Sequence, residues 1–67
     1  MTTYKVRFDD DAVDMRTRFL MMIDGITLQA IEGDYFYFAC EDEAIEAIEY
    51  ELHKAERRDS YCDWKKI

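Results

Sequence analysis

The sequence has no proline, only two glycines and two cysteines, and a single histidine in 67 residues. Without proline or a low-complexity stretch there is no candidate linker, so residues 1–67 are predicted to form a single domain. Neither Gly25 nor Gly33 belongs to a phosphate-binding loop. A chain this short lies near the lower size limit for folding without metals or disulfides. Either the packing is efficient or a partner adds stability, so the protein is expected to be a monomer or a homodimer.

The scarce thiols and the lone imidazole argue against an enzyme. Cys40 and Cys62 make neither a disulfide framework nor a zinc spacing. Acidic neighbours disfavour a thiolate at both positions, and His53 has no evident link to either cysteine. The sequence predicts two reduced thiols, no catalytic residue and no cofactor.

Metal sites and membrane spans are also missing from the pattern. Asp9, Asp11 and Asp14 do not keep the spacing of an EF-hand loop, and Glu49 with His53 lacks the further carboxylates of a di-metal helix. No apolar run reaches the ~18–20 residues of a membrane span, and no signal peptide is evident. We expect a cytoplasmic protein that binds neither metal nor membrane.

Basic residues are absent from more than half of the chain. Residues 19–53 hold nine acids and no Lys or Arg, whereas residues 1–18 are neutral and residues 54–67 carry a net charge of +2. The total is −7. A patch of one sign repels nucleic acid and anionic membranes and attracts basic protein surfaces.

The first half of the chain predicts a strand, a helix and a second strand. Residues 4–8 alternate apolar and polar, with Tyr4, Val6 and Phe8 inward. Three aspartates then offer an N-terminal cap for a helix over 10–23. The apolar residues at helical spacing are Ala12, Met15, Phe19, Met22 and Ile23. A competing interpretation is a hairpin at Asp24-Gly25, pairing 18–23 with 26–31. The strand over 26–31 would turn Ile26, Leu28 and Ala30 inward.

The second half predicts a central strand and a long helix. Residues 35–40 are apolar on both faces, so this strand belongs in the middle of the sheet. The helix that follows has a clean apolar stripe, formed by Ile45, Ile48, Leu52 and Ala55. After a break at Asp59-Ser60 we expect a short helical tail, with its apolar residues packed back on the body. These residues are Tyr61, Trp64 and Ile67.

The resulting order is β-α-β-β-α, an α+β two-layer sandwich with both helices on one face. The third strand would lie antiparallel between the first two in a three-stranded antiparallel or mixed sheet. The short C-terminal helical tail completes the chain. This arrangement is close to a partial ferredoxin-like fold.

Acidic residues line one flank of the long helix, where Asp42, Glu46 and Glu49 lie about 5–6 Å apart at i, i+4 and i+7. Like charges at this spacing destabilise a helix slightly. One interpretation is an ordinary solvated face. The other is a surface that imitates nucleic-acid phosphates or binds a basic groove.

The short, proline-free, strongly acidic chain resembles the small phage-encoded inhibitors, in particular the anti-CRISPR proteins that imitate DNA. The likeness lies in size and in the acids Glu32, Asp34, Glu41, Asp42, Glu43, Glu46, Glu49 and Glu51; the basic tail departs from it. It implies a non-enzymatic, DNA-mimicking inhibitor in the host cytoplasm, whose partner is a basic nucleic-acid-binding protein such as a CRISPR effector complex. The predicted partner-binding residues are Asp34, Glu41, Asp42, Glu43, Glu46, Glu49 and Glu56.

Two alternatives stay open. The same acidic face could belong to a small protein-interaction or antitoxin-like module that competes with no nucleic acid. The second alternative is an RNA-binding sheet. If the sheet face away from the helices is open, Tyr35 and Tyr37 could stack bases beside Lys5 and Arg7. Such an open face would also include Gln29 and Ile31, unless the C-terminal tail or a second copy of the chain covers it.

Overall fold

The computed structural model describes all 67 residues. The strands are β1 (Thr2–Phe8), β2 (Ile26–Glu32), β3 (Tyr35–Cys40) and β4 (Cys62–Lys66). The helices are α1 (Val13–Met21) and α2 (Ile45–Arg58), and a single 3-10 turn, Asp42–Ala44, leads into α2. No helix is both long and apolar enough to cross a membrane.

The four strands form one antiparallel sheet in the order β2-β3-β1-β4. The predicted antiparallel position of the third strand between the first two is confirmed. The full order, β-α-β-β-α-β, is that of the ferredoxin-like split βαβ motif. The sequence-based prediction therefore had the right class and too few strands.

The predicted helical tail is wrong, because these residues form the edge strand β4. Residues 62–66 pair antiparallel with β1, with Trp64 opposite Val6 and Cys62 opposite Phe8. The side chains of Cys62 and Trp64 pack against the core, while Asp63 and Lys65 point to the other face of the sheet. Residues 62–66 thus alternate between the core face and the other face, the period-two pattern of a strand. Pairing with β1 satisfies backbone groups that a short helical turn would leave to solvent.

Of the tail residues that were predicted to pack on the body, Trp64 packs against the core. Its ring lies 5.9 Å from that of Tyr4, between centroids. Tyr61 and Ile67 were predicted to pack on the body, but both are exposed. They flank the edge strand at its two ends, where no further element covers them.

The core lies between the helices and one face of the sheet. The predicted inward residues of β1 are all buried, and so are Ile48, Leu52 and Ala55 of α2. The apolar stripe of α2 is therefore confirmed. Phe38 of the central strand is also fully buried, as expected for a strand with neighbours on both sides.

Helix α1 exists, which excludes the hairpin, but it is shorter than the predicted 10–23. Of the apolar residues that predicted it, Ile23 packs against the core, while others face outward. Val13, Arg16 and Leu20 face the core, at i, i+3 and i+7. Met15 and Phe19, which were expected inside, are 48% and 51% exposed. The charged residue Arg16 lies in the middle of the inward face, so the inward face has no continuous apolar pattern. The apolar residues instead marked a neighbouring face, which is rotated from the inward one by about 100°, the turn of one residue.

The buried charge on α1 is paired across the protein. The Arg16 guanidinium donates from Nη2 to Asp59 Oδ1 at 2.9 Å and from Nε to Oδ2 at 3.1 Å. Both side chains are about nine-tenths buried. This forked ion pair joins α1 to the residue that ends α2.

The aspartates before α1 do not cap it as predicted. The N-cap position is Ala12, with no side-chain cap, and Asp9 Oδ1 instead accepts the Asp11 N–H at 3.1 Å. The aspartate therefore closes a local turn before the helix begins.

Ile26 and Leu28 of β2 face the core as predicted, but a β-bulge changes the face of the residues that follow them. Leu28 pairs with Phe38 but Ala30 pairs with Tyr37, which leaves Gln29 as an extra residue. Ala30, expected inside, therefore shares the open face with Tyr37. Ile31 pairs with Phe36 on the helix side and not on the open face, and it is 58% exposed.

Candidate acidic docking surface

Two loops meet at one end of the molecule and bring acidic residues together. The Glu41 N–H donates to the Gly25 carbonyl at 2.8 Å, which joins the end of β3 to the turn before β2. Gly25 has a φ of +92°, and a Cβ there would lie 3.2 Å from the Ala44 Cβ. A glycine thus permits both the backbone conformation and the close approach. Asp24 is thereby placed beside the start of the 3-10 turn.

We define the acidic end as these loop residues and the adjoining first turn of α2: Asp24, Glu41, Asp42, Glu43 and Glu46. All five are exposed, and none forms a salt bridge with a Lys or Arg. The single cation in contact is the N-terminal ammonium of Met1, 3.6 Å from Asp42. The result is a concentrated negative potential at one end of the molecule.

The helix dipole explains part of this arrangement. Carboxylates near the first turn of a helix complement its positive end, and Asp42, Glu43 and Glu46 occupy such positions. Glu41 occupies the N-cap position of the 3-10 turn, where the dipole also favours an acid, but Asp24 belongs to a different loop. The acidic end therefore holds more negative charge than the dipole alone would favour.

Glu49 was predicted to bind a partner, but it faces the sheet and is already paired. It accepts from Tyr4 Oη at 2.7 Å and from Lys66 Nζ at 2.9 Å. These two hydrogen bonds, first the one from Lys66, lower the pKa of Glu49. Burial, with the same carboxylate as a second cause, raises the pKa of Tyr4. Glu49 belongs to the contact between α2 and the sheet.

Glu56 and Asp34 also lie apart from the acidic end. Glu56 accepts a hydrogen bond from the Trp64 indole and lies 3.5 Å from His53 Nδ1. Asp34 occupies the β2–β3 turn, separated from Glu41 by the whole of β3. The seven predicted residues therefore split into four that are together, Glu41, Asp42, Glu43 and Glu46, and three that are not.

The sheet face away from the helices carries a second array of side chains. Lys5 Nζ lies 4.3 Å from the centre of the Tyr35 ring, and the Arg7 guanidinium lies 4.5 Å from that of Tyr61. Tyr37 is half-buried, with Lys5 Nζ at 6.0 Å. No chain segment crosses this face, because the tail that could have covered it forms β4.

The two thiols are free and poorly suited to nucleophilic chemistry. Burial raises the pKa of Cys62 to about 11 and also raises the pKa of Cys40. At neutral pH both are protonated, and the thiolate is the nucleophile. No group of three His, Cys, Asp or Glu side chains is arranged to hold a metal ion.

Sequence reasoning missed Asp24 as part of the acidic end and Lys66 as the ion-pair partner of Glu49. The Asp24-Gly25 pair was available as a turn signal, but its position beside Glu41 depends on residues 16 positions apart. Lys66 was noticed only as part of a basic tail. No family model, curated protein or solved structure matches the chain. The resemblance to anti-CRISPR proteins therefore stays a prediction from size and charge.

Proposed function

We propose that this protein is a non-enzymatic inhibitor that presents its acidic end to a basic nucleic-acid-binding protein, of which a CRISPR effector complex is one example. The observation that supports the proposal best is the junction of the two loops, which gathers five exposed carboxylates without a Lys or Arg partner. Lys and Arg side chains of the partner would form the ion pairs that these carboxylates lack within the chain.

The mechanism is steric and electrostatic. The acidic end occupies a Lys- or Arg-lined groove in which the target would otherwise hold phosphates. Long-range attraction between opposite charges raises the association rate, and salt screens it. Binding is therefore fast at low ionic strength and weakens as salt is added.

The residues expected to make these contacts are those of the acidic end. Glu49 and Glu56 are excluded from the revised set because their carboxylates already accept hydrogen bonds within the chain. Asp34 is excluded by its distance along β3. Single rim charges contribute little, so a combined substitution is the informative one.

The test is displacement of labelled DNA from a panel of basic nucleic-acid-binding proteins, CRISPR effector complexes included, at low and moderate salt. The test variant is Asp42→Lys/Glu43→Lys/Glu46→Lys. The matched control is Asp10→Lys/Glu32→Lys/Asp34→Lys, which makes the same change in net charge at exposed positions outside the acidic end. We expect salt-sensitive displacement that the test variant loses and the control keeps.

Each other outcome has a defined meaning. Equal losses in the two variants would indicate a response to net charge and would contradict a specific acidic end. Tight binding of a basic partner without displacement of DNA would favour the protein-interaction or antitoxin-like module. Failure to bind any basic protein would leave the acidic end as a solvated surface.

The uncovered sheet face supports a second candidate function, the binding of single-stranded RNA. Aromatic rings on central strands beside basic side chains can stack bases and contact phosphates. Lys5 with Tyr35 and Tyr37 provides this combination. The test is fluorescence anisotropy with a short labelled RNA: Tyr37→Ala would weaken the binding, and Glu46→Lys would not. The net charge of −7 opposes this function, so we place it second.

A further inference from the structure

The outer face of α1 exposes large apolar side chains without a covering element. Met15, Phe19 and Met22 are 48%, 51% and 77% exposed. They lie at i, i+4 and i+7, on a side of the helix rotated by about 100° or more from Leu20. Contiguous apolar surface on a small protein marks an interaction site more often than isolated exposed residues do.

Charged residues frame this surface in an ordered way. Together with the three apolar residues, Asp11, Asp14 and Arg18 line an open groove of about 400 Å³. The acids stand toward the N-terminal end of α1 and the base toward its C-terminal end. None of the three charged residues forms a salt bridge within the chain.

We propose that this groove binds a second copy of the chain, with the two α1 helices antiparallel about a twofold axis. A twofold interface brings the same patch of both subunits together. The antiparallel arrangement sets Arg18 of each copy toward Asp11 and Asp14 of the other, twice over. A parallel arrangement would place the acids of the two copies side by side. With Arg18 opposite Asp14 of the other copy, the twofold axis passes near residue 16, so Met15 and Phe19 of both copies pack close to it.

The size of the patch sets the strength of the dimer. A large apolar side chain can bury about 150–250 Å² of accessible surface. Given their exposed fractions, the three residues together expose on the order of 350 Å² of apolar surface per copy. A standard interface buries about 800 Å² per partner. We therefore expect a reversible dimer with a dissociation constant in the micromolar range or weaker. None of the five residues of the acidic end lines this groove.

The experiment is sedimentation equilibrium from about 10 μM to about 1 mM, the range in which weak complexes dissociate. Phe19→Ser is expected to raise the dissociation constant about tenfold or more, because it removes the aromatic side chain of the apolar patch. The control is Tyr50→Ser, which removes a large residue that is 62% exposed on α2. Circular dichroism checks that each variant is folded.

A charge exchange tests the antiparallel arrangement itself. Arg18→Asp places like charges together twice and is expected to raise the dissociation constant about tenfold. Asp14→Arg/Arg18→Asp exchanges the two charges within each chain and is expected to return the constant to within about threefold of the starting protein. A dimer lost in Arg18→Asp and not recovered in the double variant would overturn the arrangement.

Two further outcomes would overturn the whole proposal. A protein that stays monomeric at about 1 mM would show that the groove does not bind a second copy, and would leave it to a partner of other chemistry. A dimer disrupted by Tyr50→Ser and not by Phe19→Ser would move the interface away from α1.

Discussion

Helices α1 and α2 pack on the same face of the same sheet, but only α2 has an inward face that its sequence pattern predicts. In α2 the apolar stripe faces the core: Ile48, Leu52 and Ala55 are buried, and Ile45 packs against them. In α1 the outward side holds Met15 and Phe19, and the inward side holds Arg16. Periodicity thus predicts that a segment is helical, but it predicts the buried face only when the apolar residues are confined to one side.

The largest expected effect compares the two helices directly. Leu52→Ala should lower the free energy of unfolding by about 3 kcal/mol, because it opens a cavity at a fully buried site. Phe19→Ala should change it by less than about 0.5 kcal/mol, because the side chain is half exposed. Urea unfolding in dilute solution measures both. Similar losses in the two variants would contradict the observed orientation of α1.

The next effect concerns the ion pair that joins the helices. Arg16→Ala or Asp59→Ala should each lower the free energy of unfolding by about 2–3 kcal/mol, because each strands a largely buried charge. The double variant should cost less than the sum of the two single ones. Arg18→Ala, at an exposed and unpaired base on the same helix, is the matched control, with an expected change below about 0.5 kcal/mol. Strict additivity in the cycle would mean that the two groups do not interact.

A smaller effect tests how α2 is attached to the sheet. Tyr4→Phe should lower the free energy of unfolding by about 1 kcal/mol at neutral pH, because it removes the hydrogen bond to Glu49. The pKa of Glu49 is lowered in the folded protein from its ordinary value of 4.5, mainly by Lys66. The stabilisation from this carboxylate is therefore present above pH 4.5 and is lost as the pH falls through the lower folded value.

The measurement is the difference in unfolding free energy between the unchanged protein and Tyr4→Phe as a function of pH. That difference should shrink below pH 4.5. Tyr50→Phe is the control, since its hydroxyl makes no hydrogen bond within the chain and its side chain is exposed. A difference independent of pH would show that the hydrogen bond does not depend on the charge of Glu49.

The smallest effect probes the inward side of α1 once more. The Thr17 hydroxyl is buried without a hydrogen-bond partner. Thr17→Val replaces it with a methyl group of similar size, so the free energy of unfolding should stay the same or rise by about 0.5–1 kcal/mol. Thr17→Ser, which keeps the hydroxyl and loses the methyl group, should lower it. A loss in Thr17→Val would indicate that the hydroxyl has a partner in solution.

The fold was predictable to the extent that its pattern was local. The alternation in β1, the two-sided apolar run of β3 and the stripe of α2 each depend on neighbours a few residues away. The missed strand β4 had the required alternation as well, but its five residues at the end of the chain gave a weak pattern. The bulge at Gln29 left no mark in the sequence, because it arises from pairing with β3.

The sequence predicted that the candidate site is acidic, but it did not predict which acidic residues lie together there. A stretch without bases implied an acidic surface, and Glu41, Asp42, Glu43 and Glu46 do lie together. Asp24 joined them through the loop contact at Gly25. Glu49 and Glu56 are not part of the acidic end, because β4 places Lys66 and Trp64 beside α2, where they donate hydrogen bonds to these two carboxylates.

The sequence by itself determined the class of fold, the order of the first five elements and the segregation of charge along the chain. The tertiary structure decided which side of α1 is buried, which acids stay unpaired, and that the tail is a strand. The physical reason is the range of the interactions involved. Arg16 and Asp59 are 43 residues apart, and Tyr4 and Glu49 are 45 apart. Contacts of that span exist only once the chain has folded.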